Sequence, residues 1–265
     1  MSRLKFEVAD HQRHWIGRFS KLEIQIPPRG EQDRIAATIG SVDTCIANIT
    51  SLIAKYETIK KATVNLLLKP KTGWRIVRLS EIMSLSDGDW IESKDQSSSG
   101  IRLVQTGNIG EGDFIWHNER ARFISKETFK RLHCTEVFPG DCLISRLPDP
   151  IGRACVIPAS NIRMITAVDC AVARPIDNNI DIRYFVYFTS TSEYRSQMDV
   201  YLMGSTRQRV SRANLGKTLI ALPPLDEQKR IVAILDSIDV TICGLKSQLA
   251  KACDIKQGMM HCFFG

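Results

Sequence analysis

The sequence of 265 residues lacks the features that would place it in a membrane or in an oxidising compartment. No apolar run approaches the roughly 20 residues that a spanning helix needs, and the first residues lack the apolar stretch of a secretory signal. The eight cysteines never form a CxxC pair. Four of them fall in predicted helices, so no disulfide framework is expected and a reducing cytoplasm fits.

Recognisable catalytic motifs are also missing. The sequence has no P-loop, and no glycine-rich loop follows a strand as a nucleotide or S-adenosylmethionine site would need. A Pro-Asp pair at 148–149 has no following Glu-x-Lys of a nuclease, so a loop turn is the better interpretation. His11 and His14 have helical spacing but no nearby partner to complete a zinc set, and His133-Cys134 has no supporting constellation. We therefore expect no catalytic residue, no metal and no cofactor.

What the sequence does contain is a repeat. The segment that begins Ile26-Pro27-Pro28 reappears at 222–231, and 11–68 laid over 207–264 without a gap agrees at 19 of 58 positions. Repeats decide architecture and are sought first. The two copies bracket one unrelated block and are expected to frame it. Because the match extends back to Gln12, residues 1–26 are expected to be a remnant that resembles the end of an upstream domain of the same kind.

Each copy predicts a long helix that pairs with another helix, the first over 27–69 and the second over 223–265. Apolar residues recur about every 3.5 positions, the pattern of a coiled coil. The stripes consist of Ile35, Ile39, Val42, Ile46, Ile49 and Ile53 in the first helix, and of Ile231, Leu235, Ile238, Ile242, Leu245 and Leu249 in the second. Lys256 interrupts the second stripe, and Asp226 is the predicted N-cap. The alternative is two amphipathic helices in an ordinary core, although such helices usually have 8–20 residues.

The block at 70–222 differs from the helices. Short apolar runs alternate with clusters of glycine, proline and polar turn residues, as at 101–104, 141–145, 154–157, 171–173 and 218–222, which predicts strands. A helix is predicted at 182–192. The whole chain is therefore predicted as α+β, with one globular domain flanked by two long helices that pair as an antiparallel coiled coil.

Charge is compatible with an anionic partner without identifying one. The net charge is +7 and the isoelectric point is about 9.0. Basic residues concentrate in one stretch near the end of the central block: Arg195, Arg207, Arg209, Arg212 and Lys217, with only Asp199 among them. A charge run is usually a solvated face, so nucleic acid remains one of two interpretations.

Several motifs, in order, resemble the specificity subunit of type I restriction-modification systems. They are the Pro-Pro-Leu-x-Glu-Gln lead into a long helix at 223–228, the domain opening at 73–79, the closing segment at 204–208 followed by 215–217, and the helix end at 256–260. The resemblance covers essentially the whole chain. Each motif alone is weak, and the ordered set is specific.

The resemblance implies a non-catalytic DNA reader. Full subunits of the family carry two target recognition domains, each reading half of a bipartite DNA target, and two paired helices that set the distance between the halves. They assemble with an adenine methyltransferase subunit and a restriction subunit. This chain has one complete domain and so resembles a half-length form that pairs as a homodimer. The methyltransferase's own motif is absent, since Ile26 and Leu222 stand where Asn or Asp must precede Pro-Pro.

Polar residues at turns between predicted strands are the candidate DNA contacts, because phosphates attract Lys and Arg while base edges pair with Arg, Asn and Gln. The candidates are Gln105, Thr106, Asn108, Arg146, Arg153, Ser205, Thr206, Arg207, Gln208 and Arg209, with Lys94 and Arg102 expected at phosphates. Each can also be a plain exposed turn residue. A coiled-coil protein–protein adaptor without DNA binding is the alternative function.

Overall fold

The computed structural model describes residues 26–202 and 208–264. The chain divides into two compact units. One comprises Thr50–Ser247, and the other joins the described residues up to Ile49 with those from Gln248 onward. Ser205, Thr206 and Arg207, and the remnant predicted at 1–26 apart from its last residue, lie outside the described residues.

The helices and strands follow the order predicted for an α+β chain. The helices are α1 (Arg29–Leu67), α2 (Leu79–Ile82), α3 (Lys126–Arg131), α4 (Ile182–Phe188), α5 (Ser192–Leu202), α6 (Arg212–Gly216) and α7 (Leu225–Phe264). The strands are β1 (Arg75–Arg78), β2 (Met83–Asp87), β3 (Gln96–Ser97), β4 (Ile101–Val104), β5 (Arg122–Ile124), β6 (Glu136–Val137), β7 (Cys142–Ser145), β8 (Ala154–Val156), β9 (Met164–Thr166), β10 (Cys170–Pro175) and β11 (Leu219–Leu222). The predicted fold class, with a long helix on each side of a sheet-containing domain, is confirmed.

Three sheets build the central domain. β1 and β11 pair antiparallel and join the two ends of the block, with Arg75 opposite Leu222. A four-stranded antiparallel sheet has the order β2-β10-β7-β8, and a five-stranded sheet has the order β3-β5-β4-β9-β6. In the second sheet β4 and β9 are parallel, and the other pairs are antiparallel.

The hydrophobic core lies on both faces of these sheets. One cluster packs apolar side chains of the four-stranded sheet, such as Leu143 and Val172, against Val104 and Met164 of the five-stranded sheet. A larger cluster packs α4, α5 and the adjoining parts of α1 and α7 against the four-stranded sheet. Tyr184 in that cluster is fully buried and donates to the carbonyl of Ala221 at 2.6 Å. The central domain thus holds its own core, and parts of both long helices contribute to it.

The two sequence copies begin their helices in the same way. Gln32 donates from Nε2 to the carbonyl of Pro27 at 2.8 Å, and Gln228 donates to the carbonyl of Pro223 at 2.9 Å. In both copies the backbone N–H groups of the glutamate and the glutamine donate to the carbonyl of the second proline, Pro28 or Pro224, at 2.9 and 3.1 Å. The Pro-Pro-x-x-Glu-Gln motif is therefore a structural helix start in each copy.

The long helices contact each other within each unit, and the contacts repeat. In the unit 50–247, Lys60 lies 2.5 Å from Asp239; in the other unit, Lys256 lies 2.5 Å from Asp43. The sequence repeat relates Asp43 to Asp239 and Lys60 to Lys256, so each copy supplies the opposite half of the same antiparallel pair. The ion pair with Asp43 gives a role to Lys256, the polar interruption of the stripe.

Residues of the predicted stripes are the less exposed positions of both helices. Ile53, Ile231, Leu235 and Ile242 are buried, and the other stripe residues are half-buried between exposed neighbours. By length and composition alone α1 could cross a membrane, since it contains an 18-residue window of mean hydropathy 1.3. Helices that pair in a soluble protein pass the same test, so this is weak evidence for a membrane span.

Two local expectations were wrong. Asp226 is the second residue of α7, which begins at Leu225, and so it is not the N-cap. The helix predicted at 182–192 ends at Phe188, where Thr189 caps its C-terminus, and α5 begins separately at Ser192. Asp181 starts α4 by accepting from the backbone N–H groups of Arg183 and Tyr184, an N-cap that satisfies two otherwise unpaired donors.

Candidate nucleic-acid interface

Strand ends from both larger sheets meet at one edge of the domain. Four loops lie there, and together we call them the loop rim: 105–110, 146–153, 167–169 and 208–212. The backbone N–H of Ala167 donates to Val104 at 2.8 Å, that of Arg146 to Asp169 at 2.9 Å, and that of Val210 to Arg146 at 3.1 Å. The fold thus gathers Gln105, Thr106, Asn108, Arg146, Arg153, Gln208 and Arg209, which are separated by up to about a hundred residues in sequence.

Two arginines of the loop rim hold the loops together. Arg146 is buried, pairs with Asp87 and donates from Nε to the carbonyl of Val210 at 2.9 Å. Burial lowers the pKa of Arg146. Arg153 donates to four carbonyls, among them Ile109 at 2.6 Å and Thr106 at 2.9 Å. Because most of their N–H groups are used inside the protein, we assign both arginines a supporting role.

Asn108 shapes the turn that follows β4. It is buried, its Oδ1 accepts from the backbone N–H of Gln105 at 2.9 Å, and its Nδ2 donates to the carbonyl of Ile115 at 2.8 Å. These bonds close a short 3-10 turn over Thr106–Asn108. The side chain of Asn108 is thus engaged internally, whereas Gln105 and Thr106 remain half-exposed at the surface.

A basic cleft of about 330 Å³ opens beside this turn. Its lining consists of Arg102, Leu103, Gln105, Thr106, Gly107, Asn108, His117, Arg120, Ala121 and Arg122. Among the residues that the structure describes, the lining includes Arg102, Arg120 and Arg122 and no aspartate or glutamate. The cleft therefore brings together four of the predicted contacts, Arg102, Gln105, Thr106 and Asn108, in a surface suited to an anion.

Arg102 is the buried cation of this cleft, with 4% of its surface exposed. Its Nη1 donates to Oδ1 of Asn118 at 3.0 Å, and its guanidinium lies 5.0 Å from the centre of the Trp116 ring. Nη2 is buried and has no hydrogen-bond partner among the residues that the structure describes. Burial lowers the pKa of Arg102. The guanidinium is thus fixed in place with one nitrogen unsatisfied.

Three other predicted contacts do not line the basic cleft: Arg209, Gln208 and Lys94. Arg209 is half-buried, donates to the carbonyl of Val168 at 3.2 Å and lies 3.3 Å from Asp169, without hydrogen-bond geometry to that carboxylate. Gln208 is exposed at the loop rim. Lys94 lies in a separate 3-10 turn, Ser93–Asp95, and pairs with Glu92 at 2.7 Å. It is therefore not part of the basic cleft.

Other basic residues at the surface were not among the predicted contacts. His117, Arg120 and Arg122 line the basic cleft. Arg78, Arg212 and Lys217 line a second surface depression next to Asp87 and Arg146. The sequence signal for Arg212 and Lys217 was the basic stretch near the end of the block. The sequence alone could not indicate Arg122, because the residue comes to lie opposite Leu103 only through the pairing of β4 with β5.

Within 26–202 and 208–264, no group of three or more His, Cys, Asp or Glu side chains is placed to hold a metal ion. Four of the eight thiols, Cys45, Cys243, Cys253 and Cys262, are exposed, and the other four are buried and free. What the described surface offers is a set of hydrogen-bond donors and positive charges. That chemistry can bind an anion.

The comparison with known proteins places the chain in a family. The profile described as "Type I restriction modification DNA specificity domain" matches residues 71–251. The type I restriction enzyme MjaVIII specificity subunit of Methanocaldococcus jannaschii is 23% identical over 241 residues, which cover 83% of this chain and 56% of that protein.

Two solved structures share the fold. The HsdS subunit from Thermoanaerobacter tengcongensis matches with a TM-score of 0.54 at 23% identity, over 90% of this chain and 59% of that one. The type I restriction-modification S subunit from M. genitalium matches with a TM-score of 0.59 at 14% identity, over 89% and 61%. The chain spans less than two thirds of the length of these relatives. Because the profile covers more than half of its residues, the chain belongs to the type I restriction-modification DNA specificity family.

Proposed function

We propose that this chain reads one half of a bipartite DNA target and carries no catalytic activity of its own. The observation that supports the proposal most is the basic cleft beside the loop rim, whose lining from β4, β5 and the segments next to them includes three arginines and, among the described residues, no aspartate or glutamate. Loops on a rigid sheet scaffold are where binding residues concentrate. Membership of the type I restriction-modification DNA specificity family also supports DNA reading.

The proposed contacts divide by exposure. Residues of the basic cleft other than Asn108, together with the cations Arg212 and Lys217, are proposed to contact the DNA backbone, which supplies most of the affinity. Gln208 and Arg209 at the loop rim, with Ser205, Thr206 and Arg207 next to them in sequence, are proposed to reach base edges, where Arg and Gln can discriminate bases. Arg146, Arg153 and Asn108 are proposed to hold these loops in position.

The domain boundaries are proposed as a remnant over 1–26, a first helix over 27–69, a recognition domain over 70–222 and a second helix over 223–265. The long helices are proposed to place the recognition domain and to dock a methyltransferase subunit and a restriction subunit in the cytoplasm. A homodimer is proposed to bring a second recognition domain, and therefore a symmetric target. Light scattering across micromolar concentrations tests the dimer: a monomer at every concentration would exclude it.

Salt dependence tests the DNA-reading proposal against a protein adaptor. Duplex binding should weaken steeply as salt rises, because Lys and Arg contacts release condensed counterions with a slope of about −0.9 per phosphate in the log–log plot. The measurement is fluorescence anisotropy with a labelled random duplex at several salt concentrations, with the methyltransferase subunit present. No duplex binding even at low salt would refute the proposal and favour an adaptor.

A further inference from the structure

The shape and charge of the basic cleft fit a protruding anion. Arg102, Arg120 and Arg122 line a concavity of about 330 Å³, and no acidic residue within 26–202 and 208–264 lines it. On duplex DNA the phosphates stand out from the surface, whereas base edges lie recessed in the grooves and must be reached by protruding side chains. A concave surface that carries positive charge therefore complements a phosphate better than a base edge.

The buried Arg102 provides a second, independent observation. A buried donor without a partner is unfavourable, and more so on a charged group, and native proteins leave few such groups unsatisfied. Nη2 of Arg102 is such a donor within the part of the chain that the structure describes. Arg102 lines the basic cleft, and Nη2 itself is covered in the structure. An oxygen bound in the cleft becomes its acceptor once the guanidinium turns toward the cleft.

Two neighbours hold the guanidinium of Arg102 beside the cleft. Trp116 lies against the guanidinium at 5.0 Å, and Asn118 accepts from Nη1 at 3.0 Å. Arg120 and Arg122 are exposed at the same cleft and form no ion pair among the described residues. They can approach a bound phosphate without breaking an existing contact.

We propose that the basic cleft seats one backbone phosphate of the DNA duplex, with Arg102 as the buried anchor, Trp116 and Asn118 as positioning residues, and Arg120 and Arg122 as the exposed donors. This proposal rests on the proposed function. It adds that the cleft contributes affinity and register without reading a base, so sequence discrimination resides in groups outside it. Arg102→Lys would lose the planar guanidinium, whose paired N–H groups bind two phosphate oxygens at once.

The test is a combination of protein variants with single-phosphate neutralisation. The DNA is a duplex that the wild-type protein, with the methyltransferase subunit, enriches from a random pool. In a series of such duplexes one phosphate at a time is replaced by an uncharged methylphosphonate. The protein variants are Arg120→Gln with Arg122→Gln, both exposed, and separately Arg102→Gln, whose folding is checked by circular dichroism. The control Lys130→Gln removes an exposed charge on α3, outside the cleft.

For the wild type, neutralising one particular phosphate should weaken binding by about 10- to 100-fold, the range of a charge-assisted hydrogen bond. The Arg120→Gln/Arg122→Gln protein should bind the unmodified duplex more weakly, lose its sensitivity at that one phosphate, and show a salt slope shallower by about 0.9. The enriched sequence should be unchanged. Lys130→Gln should keep the wild-type response at that phosphate.

Two results would overturn the proposal, and they are distinguishable. If the wild type binds no duplex, the proposed function and the phosphate site fail together. If the wild type binds but the double variant keeps the full salt slope, or enriches a different base at one position, the cleft is not a phosphate site and DNA reading stands. The double variant carries this test even if Arg102→Gln does not fold, because both of its substituted residues are exposed.

Discussion

Replacing Gln228 by alanine should destabilise the central domain far more than the same replacement at its repeat counterpart Gln32. Gln228 is fully buried; its Oε1 accepts from the backbone N–H of Asp181 at 2.8 Å, and its Nε2 donates to the carbonyls of Asn179 and Pro223, each at 2.9 Å. Alanine removes the side-chain partner of three backbone groups, of which the carbonyl of Pro223 belongs to a buried residue and the N–H of Asp181 to a half-buried one. At about 1 kcal/mol for each group, the loss is roughly 3 kcal/mol.

Gln32 provides the matched control within the same chain. It is half-buried and makes one such bond, to the carbonyl of Pro27 at 2.8 Å. Water can replace that bond, so Gln32→Ala should cost less than about 1 kcal/mol. The two variants differ in how many backbone groups the glutamine satisfies, while the motif around it is the same.

Urea denaturation followed by tryptophan fluorescence measures both variants. Trp74 donates to Oε2 of Glu227 at 3.1 Å, next in sequence to Gln228, and reports on this region. The expected loss for Gln228→Ala corresponds to a Tm lower by about 6–12 °C. Equal effects of the two variants, or a loss below about 1 kcal/mol for Gln228→Ala, would refute the reasoning that Gln228 joins α7 to the domain.

Three further predictions test the fold and its electrostatics. In the native protein a thiol reagent should modify the four exposed cysteines rapidly, and the other four only after denaturation, because burial raises the pKa of Cys155 and of Cys170 to about 12. Lys256→Glu should lower the free energy of unfolding by up to about 1 kcal/mol. Adding Asp43→Lys to this variant should restore the free energy of unfolding if the helices pair in this register. The hydrogen bond from Lys71 lowers the pKa of Glu227 below its ordinary value of 4.5. This contribution to stability is therefore present above pH 4.5 and is lost as the pH falls through the lowered pKa. Glu227→Gln should flatten that part of the stability–pH profile, and an unchanged profile would contradict the prediction.

The helices and many strands could be predicted because their signals are local. A repeat every 3.5 residues is visible along the sequence, and the apolar runs at 101–104 and 142–145 are strands β4 and β7. The end of α4 was missed because no glycine or proline marks it. Thr189 and Thr191 terminate the helix by donating back to its carbonyls, a contact that the sequence does not reveal.

The candidate site was only partly predictable, because burial depends on tertiary structure. Arg146, Arg153 and Asn108 are turn residues by sequence, like Gln208, yet the loop rim folds their side chains inward. Arg122 joins the basic cleft through antiparallel pairing of β4 with β5, and Arg120 joins it from the 3-10 turn Asn118–Arg120 just before β5. A single sequence does not reveal which arginine of a turn faces solvent and which one satisfies carbonyls.

Selection from a pool of random duplexes, with the methyltransferase subunit present, tests the central claim most directly. The proposed function predicts that one short motif is enriched, and that the motif is symmetric and bipartite if two copies of the chain pair. A pool that stays random after repeated rounds, from a protein shown to be folded, would contradict the claim that this chain reads DNA sequence.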